Sequence, residues 1–425
     1  MRIKTSLLLM YISQFSILST VFLLTWLVMH FLGEVAFAEY LLFRRGASMV
    51  AVLAGLGVSV SAPRVLADRA SIGKSGDFKI SSCIAKEFAL SLLIIAVVFL
   101  LVSLTITPEK IAFYITGEGS SEIIGWSIIF YSLAFYTLEY SYELLRIMNK
   151  FMTIFILQMG YFVVIPIVSF ILFDDISKIL LATTILMLIW TMLFIPYTNI
   201  YIYKDEKKYS LKSVLLLLKS FMGYAIIPVV LFMLLSSPTF ILLNYTSDNK
   251  ILAGYIGFAM LFITAIGQLI APLTAVMRSR LLLLYKKGDK QTLYLWWRYL
   301  IVLLFVISIV VYVSIVYFSS FAIELYFSST VISSNTMYMM KLTAFSSIGY
   351  VIYLTCFGFI ESIAKKKFYL SVSVIIASIV FILGLISTYT FSFGIIGIII
   401  SQVVAISLLG IISFIQVYYL IKSLE

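Results

Sequence analysis

The stretch that decides the fold is Ser6–Leu32, SLLLMYISQFSILSTVFLLTWLVMHFL, which contains no Asp, Glu, Lys or Arg. A helix needs about 20 mostly apolar residues to cross the hydrocarbon core of a bilayer, which is about 30 Å thick. The run is long enough to cross, and it is too long for the apolar core of a signal peptide. It therefore predicts a first transmembrane helix that is retained.

Similar runs follow along the rest of the 425 residues, of which 63% are apolar and only 12% are charged. The mean hydropathy of +1.13 excludes an ordinary soluble domain. Because the runs are continuously apolar rather than alternating, they predict helices and not the strands of a membrane barrel. The sequence thus predicts an all-α polytopic membrane protein of about twelve helices, at 6–32, 36–62, 84–106, 123–145, 152–173, 179–202, 214–243, 251–277, 298–320, 337–360, 369–390 and 394–421.

The basic residues predict the orientation. Of the 30 Lys and Arg residues, six lie within the predicted spans and only Lys110, Lys178 and Lys250 lie on one side, which leaves 21 on the side of both termini. Positive residues concentrate in cytoplasmic loops. We therefore expect cytoplasmic termini in a bacterial inner membrane, and the net charge of +11 needs no nucleic-acid partner.

The connections between the predicted spans are too short to fold as domains of their own. The sequence shows no phosphate-binding glycine loop and no catalytic grouping, so an enzyme is not expected. Cys83, Cys356 and His30 are the only residues of their kinds, which excludes a cysteine and histidine metal cluster. We expect no cofactor, and the work of the protein must occur within the helix bundle.

A polar segment at 203–213 divides the predicted spans into two sets of six. The expected organisation is an N-terminal lobe at 1–202, a cytoplasmic linker at 203–213 and a C-terminal lobe at 214–425. Because six is even, both lobes have the same orientation, as in a parallel repeat.

Several short motifs occur along the predicted spans: Leu32-Gly33 with Phe37 and Tyr40, Gly55-Leu56-Gly57 with Arg64, Ile251–Ala259, Ala271-Pro272-Leu273 with Gly288-Asp289, and Phe393–Ile400. They resemble motifs of bacterial O-antigen and capsular polysaccharide flippases of the multidrug/oligosaccharidyl-lipid/polysaccharide exporter superfamily. The family often has an Asp near the outer end of span 7, where this chain has Ser237-Pro238-Thr239. A role for that acid cannot be carried over.

The resemblance implies two six-helix lobes around a central cavity lined by spans 1, 2, 7 and 8, with alternating access. The implied cargo is an undecaprenyl-diphosphate-linked oligosaccharide, and polysaccharide assembly proteins are the implied partners. A cation-coupled multidrug antiporter of the same fold is the alternative, with proton or sodium coupling, although 6–32 lacks the acid expected for it. A membrane oligosaccharide polymerase is a third reading, which the short outer loops disfavour.

The strongest candidate site is the pair Arg44 and Arg45, which lies about 12 Å along span 2 from its outer end. An Arg at that depth costs at least about 2.5 kcal/mol unless it meets water, protein or an anion. We expect at least one of the pair to bind the diphosphate or a sugar acid of the cargo. Glu139 of span 4, the deepest acid, is the candidate charge partner or coupling group.

Other polar residues within spans are weaker candidates for cargo binding. Gln14, Gln268 and Asn244 can bond sugar hydroxyls, although polar groups between packed membrane helices also bond to neighbouring helices. Pro228 and Pro238 lie in span 7, where they can bend the helix as a gate or be tolerated as a simple kink.

Overall fold

The structure of the chain is a computed structural model. It describes residues 3–55, 57–72, 78–117, 121–205, 209–223, 225–245, 250–287, 289–327, 334–363 and 368–422. Apart from one short hairpin, Ser71–Ile72 (β1) with Phe78–Lys79 (β2), the regular structure in these ranges is helical. The predicted fold class, an all-α membrane protein, is confirmed.

Fifteen α-helices follow one another along the described ranges. They are α1 (Ile3–Ala54), α2 (Val58–Arg69), α3 (Ser82–Ile106), α4 (Pro108–Thr116), α5 (Glu122–Ile147), α6 (Phe151–Met159), α7 (Ile165–Leu172), α8 (Ile176–Asn199), α9 (Leu211–Met222), α10 (Ile226–Tyr245), α11 (Lys250–Lys287), α12 (Lys290–Phe327), α13 (Ser334–Ile363), α14 (Phe368–Thr390) and α15 (Gly394–Lys422).

Among the described residues, eleven segments are long and apolar enough to cross a membrane. The first of them, Leu8–Ala54, has 47 residues, which at about 1.5 Å per residue is twice the length that one crossing needs. Gly33 interrupts this segment with φ 85° and ψ 179°, a backbone conformation that a residue with a Cβ rarely adopts. Gly33 therefore separates predicted spans 1 and 2, and the count agrees with about twelve helices.

The chain forms two compact units, residues 1–232 (unit 1) and 233–425 (unit 2). The predicted linker at 203–213 lies inside unit 1, where Tyr203 bonds to the segment before α3. The Tyr203 N–H donates to the Ile80 carbonyl at 3.2 Å, and the Ser82 N–H donates to the Tyr203 carbonyl at 2.9 Å. The division into lobes of six spans at this linker stays a prediction.

Helix α9 packs within unit 1. Its buried residues Val214, Leu217 and Phe221 recur every three or four positions and so form one face. Phe221 contacts Phe88 of α3 edge to face, with ring centroids 6.0 Å apart. The span predicted at 214–243 contains a break, because α9 ends at Met222 and α10 begins at Ile226. One membrane-crossing segment, Leu211–Ser236, runs across this break.

Span 5 contains an irregularity that the sequence did not predict. Residues Gly160–Val164 form one turn of π-helix between α6 and α7. Trp190 of α8 covers this turn, so that a Cβ on Gly160 would lie only 2.3 Å from the indole ring. The indole N–H of Trp190 donates to the Leu157 carbonyl at 3.1 Å. The close packing and the hydrogen bond together hold the widened turn.

Unit 2 contains the second irregular span. Pro238 has no N–H to donate to the carbonyl of Leu234, four residues earlier in α10. Gln402 of α15, which is fully buried, donates its side-chain amide to that carbonyl at 3.0 Å. The freed backbone group is thereby satisfied from a neighbouring helix, as membrane proteins require. This arrangement fits a tolerated kink, and the gating role of Pro238 stays a prediction.

Candidate functional site

A cavity lies within unit 1, between α1, α5, α8 and the irregular span formed by α6 and α7. Most of its wall is apolar, which suits a lipid-like or aromatic solute. Its polar groups are one guanidinium and several hydroxyls, contributed by Arg44, Tyr40, Ser48, Tyr131, Thr20, Thr183 and Thr184. None of the described residues that line it is acidic.

Arg44 supplies the charge of this cavity. Its Nη1 atom is buried and has no hydrogen-bond partner. The guanidinium carbon lies 5.8 Å from the ring centroid of Tyr40, within the range of a cation–π contact. An anion or a strong acceptor in the cavity would satisfy this unused donor.

The local sequence explains how this face forms. Tyr40, Arg44 and Ser48 are spaced four residues apart, so they lie on one side of α1. Phe43 meets the Tyr131 ring of α5 edge to face, with centroids 6.4 Å apart. The hydroxyl oxygens of Ser48 and Tyr131 are 3.4 Å apart, which ties the polar face of α1 to α5.

Arg45 has a different environment from Arg44. It is only 7% exposed and does not line the cavity. Neighbouring residues of a helix point about 100° apart, so the two arginines face different surroundings. The structure thus places Arg44, and not Arg45, at the cavity, while binding of cargo by either one stays a prediction.

Glu139 lies on α5, near two other charged residues of the same helix. Its electrostatic neighbours include Glu143 and Arg146, one and two turns further along α5. Glu143 forms an ion pair with Arg146 at 3.1 Å. The Oε2 atom of Glu139 is buried without a hydrogen-bond partner. The role of Glu139 as charge partner of Arg44 or Arg45, or as a coupling group, stays a prediction.

The other predicted cargo-binding residues do not join this cavity. Gln14 lies on α1, half-buried, and is not among the lining residues. Gln268 belongs to unit 2, and its Oε1 atom is buried without a partner. The side chain of Asn244 lies outside the described residues.

Sequence reasoning missed most of the polar lining of the cavity. Tyr40 and Ser48 could be predicted from the sequence, because each lies four residues from Arg44 and therefore shares its helical face. Tyr131, Thr183 and Thr184 had none, since only the packing of α5 and α8 against α1 brings them to the cavity. Hydroxyl residues are common in membrane helices and do not stand out by type.

No protein-family model matches the chain, and no curated protein does. Among solved structures, the eukaryotic MATE transporter AtDTX14 is similar with a TM-score of 0.68 and 12% identity, over 100% of this chain and 99% of that one. A multidrug resistance MATE family transporter of the MOP superfamily is similar in its outward-facing form, with a TM-score of 0.64, 16% identity and coverage of 99% and 96%.

The inward-facing form of a multidrug resistance MATE family transporter is equally similar, with a TM-score of 0.64, 17% identity and coverage of 97% and 98%. The chain therefore has the fold of MATE transporters. The three structures are of transporters. These similarities do not support the narrower resemblance to polysaccharide flippases.

Proposed function

We propose that this chain is an alternating-access transporter that moves amphipathic organic compounds across the membrane. Its MATE fold over the full length of the chain carries the proposal. Among the similar structures, multidrug resistance transporters occur in inward-facing and outward-facing forms. Of the alternatives that the sequence left open, these neighbours favour the antiporter over the flippase.

The charge of the cavity narrows the substrate class. Arg44 is the charged residue of the lining, and its free Nη1 donor is buried. An anion there offsets the cost of a buried guanidinium, about 2.5–3.5 kcal/mol at the membrane centre, whereas a cation adds to it. The preferred solute of this cavity is an amphiphile with an anionic head and an apolar body.

A lipid-linked oligosaccharide is the second candidate substrate, supported by the sequence motifs and by this charge. Its diphosphate suits a guanidinium, and the rings of Tyr40 and Tyr131 at the cavity offer faces for sugars. In that case the protein is an inner-membrane flippase with cytoplasmic termini, consistent with the distribution of basic residues.

Two assays separate these candidates. Proteoliposomes that contain the chain are loaded with a fluorescent amphipathic anion or with the cation ethidium, and the export of each is measured. In the source organism, deletion of the gene is followed by measuring lipid-linked glycans on the two faces of the membrane. Anion export with normal glycans supports the general exporter, and cytoplasmic accumulation of glycan supports the flippase. Export of ethidium alone contradicts the anionic preference.

A further inference from the structure

Four aromatic rings form a continuous stripe along the second half of α8 and the turn that follows it. Trp190, Phe194, Tyr197 and Tyr201 are spaced four, three and four residues apart, so they lie on one side of the helix. Their ring centroids are 5.6, 5.5 and 6.2 Å apart in that order. Tyr197 is 45% exposed, so the stripe is open to the surroundings of the bundle.

Helix α6 borders this stripe at both ends. The indole N–H of Trp190 donates to the Leu157 carbonyl at 3.1 Å. At the other end, the hydroxyl oxygens of Tyr201 and Thr153 are 3.3 Å apart. The stripe therefore runs along the line where α6 and α8 meet. On α6, the side chains at 152 and 156, a methionine and an isoleucine one turn apart, add exposed apolar surface.

The stripe ends at the ammonium group of Lys150. Its Nζ atom lies 4.7 Å from the ring centroid of Tyr201, within the range of a cation–π contact. The backbone fixes this position, because Asn149 has φ 57° and the Lys150 N–H donates to the Leu145 carbonyl at 2.9 Å, which closes the end of α5 in a Schellman turn. Lys150 is exposed, and neither ion pair of the described residues uses it. Its ammonium is therefore open to an anion from outside.

The charges around this point are positive. Residues 144–159 contain Arg146 and Lys150, residues 190–204 contain Lys204, and neither range contains an Asp or Glu. Arg146 is already paired with Glu143, whereas Lys150 and Lys204 are exposed. Exposed basic residues at a membrane surface attract anionic lipids. An exposed apolar stripe that ends at such charges complements a molecule with an anionic head and a long apolar tail.

The exposed rings of α4 lack this complementarity. Phe113 and Tyr114 are both exposed, with ring centroids 5.6 Å apart. The same helix has one acid and one base, Glu109 and Lys110, and both are exposed. Exposed aromatic side chains are usual at a membrane interface. The rings of α4 thus indicate an interface only, and it is the unbalanced positive charge that distinguishes the surface at Lys150.

We propose that the surface formed by Lys150, Tyr201, Tyr197 and the exposed residues of α6 binds one anionic phospholipid. The Lys150 ammonium donates to the phosphate, and an acyl chain lies along the aromatic stripe of α8. A free phosphate gains only the interaction with the charge, whereas a lipid also covers the apolar surface. The proposal does not rest on the proposed transport function, because these residues lie outside the lining of the cavity.

Native mass spectrometry of the full chain in detergent measures this binding. The probes are dioleoyl phosphatidylglycerol, dioleoyl phosphatidylcholine with the same chains, and glycerophosphoglycerol, which is the anionic head without chains. We expect the wild type to bind phosphatidylglycerol more tightly than phosphatidylcholine, and glycerophosphoglycerol at equal concentration to leave the bound lipid in place. Equal binding of the two lipids, or displacement by the head alone, overturns the proposal.

Variants locate the bound lipid. Lys150→Gln should weaken binding of phosphatidylglycerol about 5-fold, which corresponds to about 1 kcal/mol for one basic residue, and Lys150→Arg should retain it. Tyr201→Leu should also weaken binding, whereas Tyr201→Phe keeps the ring and should not. Lys178→Gln is the matched control, because Lys178 is an exposed lysine at the other end of α8. A loss in Lys178→Gln equal to that in Lys150→Gln contradicts the assignment.

Arg44→Gln separates this surface from the cavity, which also suits an anionic amphiphile. We expect Arg44→Gln to keep the Lys150-dependent binding of phosphatidylglycerol. Loss of that binding in Arg44→Gln, with normal binding in Lys150→Gln, would assign the lipid to the cavity and overturn the proposal. Failure of solute export with intact Lys150-dependent lipid binding contradicts only the proposed function.

Discussion

Arg44 and Glu139 are both charged residues of unit 1 with a buried atom that lacks a hydrogen-bond partner, yet their surroundings differ. Arg44 borders a partly open cavity of about 90 Å³. Glu139 is enclosed by packed helices, beside an ion pair that already uses Arg146. An unpartnered charge next to open space can be satisfied by a substrate. One that is enclosed by packed helices can avoid the cost of a buried charge by becoming neutral.

The largest effect should follow the removal of Arg146, because its guanidinium balances the negative charge of the Glu139 and Glu143 carboxylates. In Arg146→Gln, two carboxylates remain buried without a cation, which costs about 3 kcal/mol. We expect a strong fall in membrane abundance and in thermal stability, measured by quantitative blotting and by a melting assay. Glu143→Gln in the same chain should restore much of the loss. If the double variant is no more stable than Arg146→Gln, the charge-balance argument is wrong.

The second-largest effect should be a loss of solute export when Arg44 is replaced. Arg44→Gln removes the cation of the cavity but leaves the packing of α1 intact, so abundance should be normal. Loss of a charged hydrogen bond is worth about 1.5–3 kcal/mol, or about 10-fold to 100-fold in solute export. Arg44→Lys should retain part of the activity, because it keeps the charge without the planar fork. Normal export by Arg44→Gln excludes the cavity as the binding site.

The double variant with Glu139→Gln and Arg45→Gln tests whether Glu139 and Arg45 contribute to stability independently. Because Glu139 belongs to the cluster with Glu143 and Arg146, we expect the stability changes of the single variants to add within about 0.5 kcal/mol. Denaturation of the four proteins measures this. A rescue in the double variant implies that the two groups pair, and it contradicts their independence.

The charged residues of both regions could be predicted from the sequence, because a charge inside an apolar run costs free energy and stands out. The residues that surround these charges could not be predicted in the same way. Glu143 and Arg146 were overlooked beside Glu139, although they follow it at one and two helical turns. Tyr131 and Tyr161 reach their positions through the packing of α5 against span 5. Pro166 follows the π-helical turn Gly160–Val164 by two residues, but a proline alone does not distinguish such a turn from an ordinary kink. The spans and their number, by contrast, follow directly from hydropathy.

The smallest effect should appear at the kink of unit 2. Gln402→Leu removes the donor to the Leu234 carbonyl and should cost about 1 kcal/mol of stability. Gln416→Leu on the same helix is the matched control, because the Oε1 atom of Gln416 has no partner to lose. Thermal melting of both variants in one detergent gives the comparison. Equal melting temperatures would show that the capped carbonyl contributes nothing.

Binding of an amphipathic anion beside Arg44 is the central claim, and ligand-induced thermal stabilisation of the purified full chain tests it most directly. The probes are farnesyl diphosphate, an anionic amphiphile, and tetraphenylphosphonium, an amphipathic cation. The account predicts that the diphosphate raises the melting temperature of the wild type, that the cation does not, and that Arg44→Gln abolishes the shift while Glu109→Gln preserves it. Stabilisation by the cation alone, or an unchanged diphosphate shift in Arg44→Gln, would contradict it.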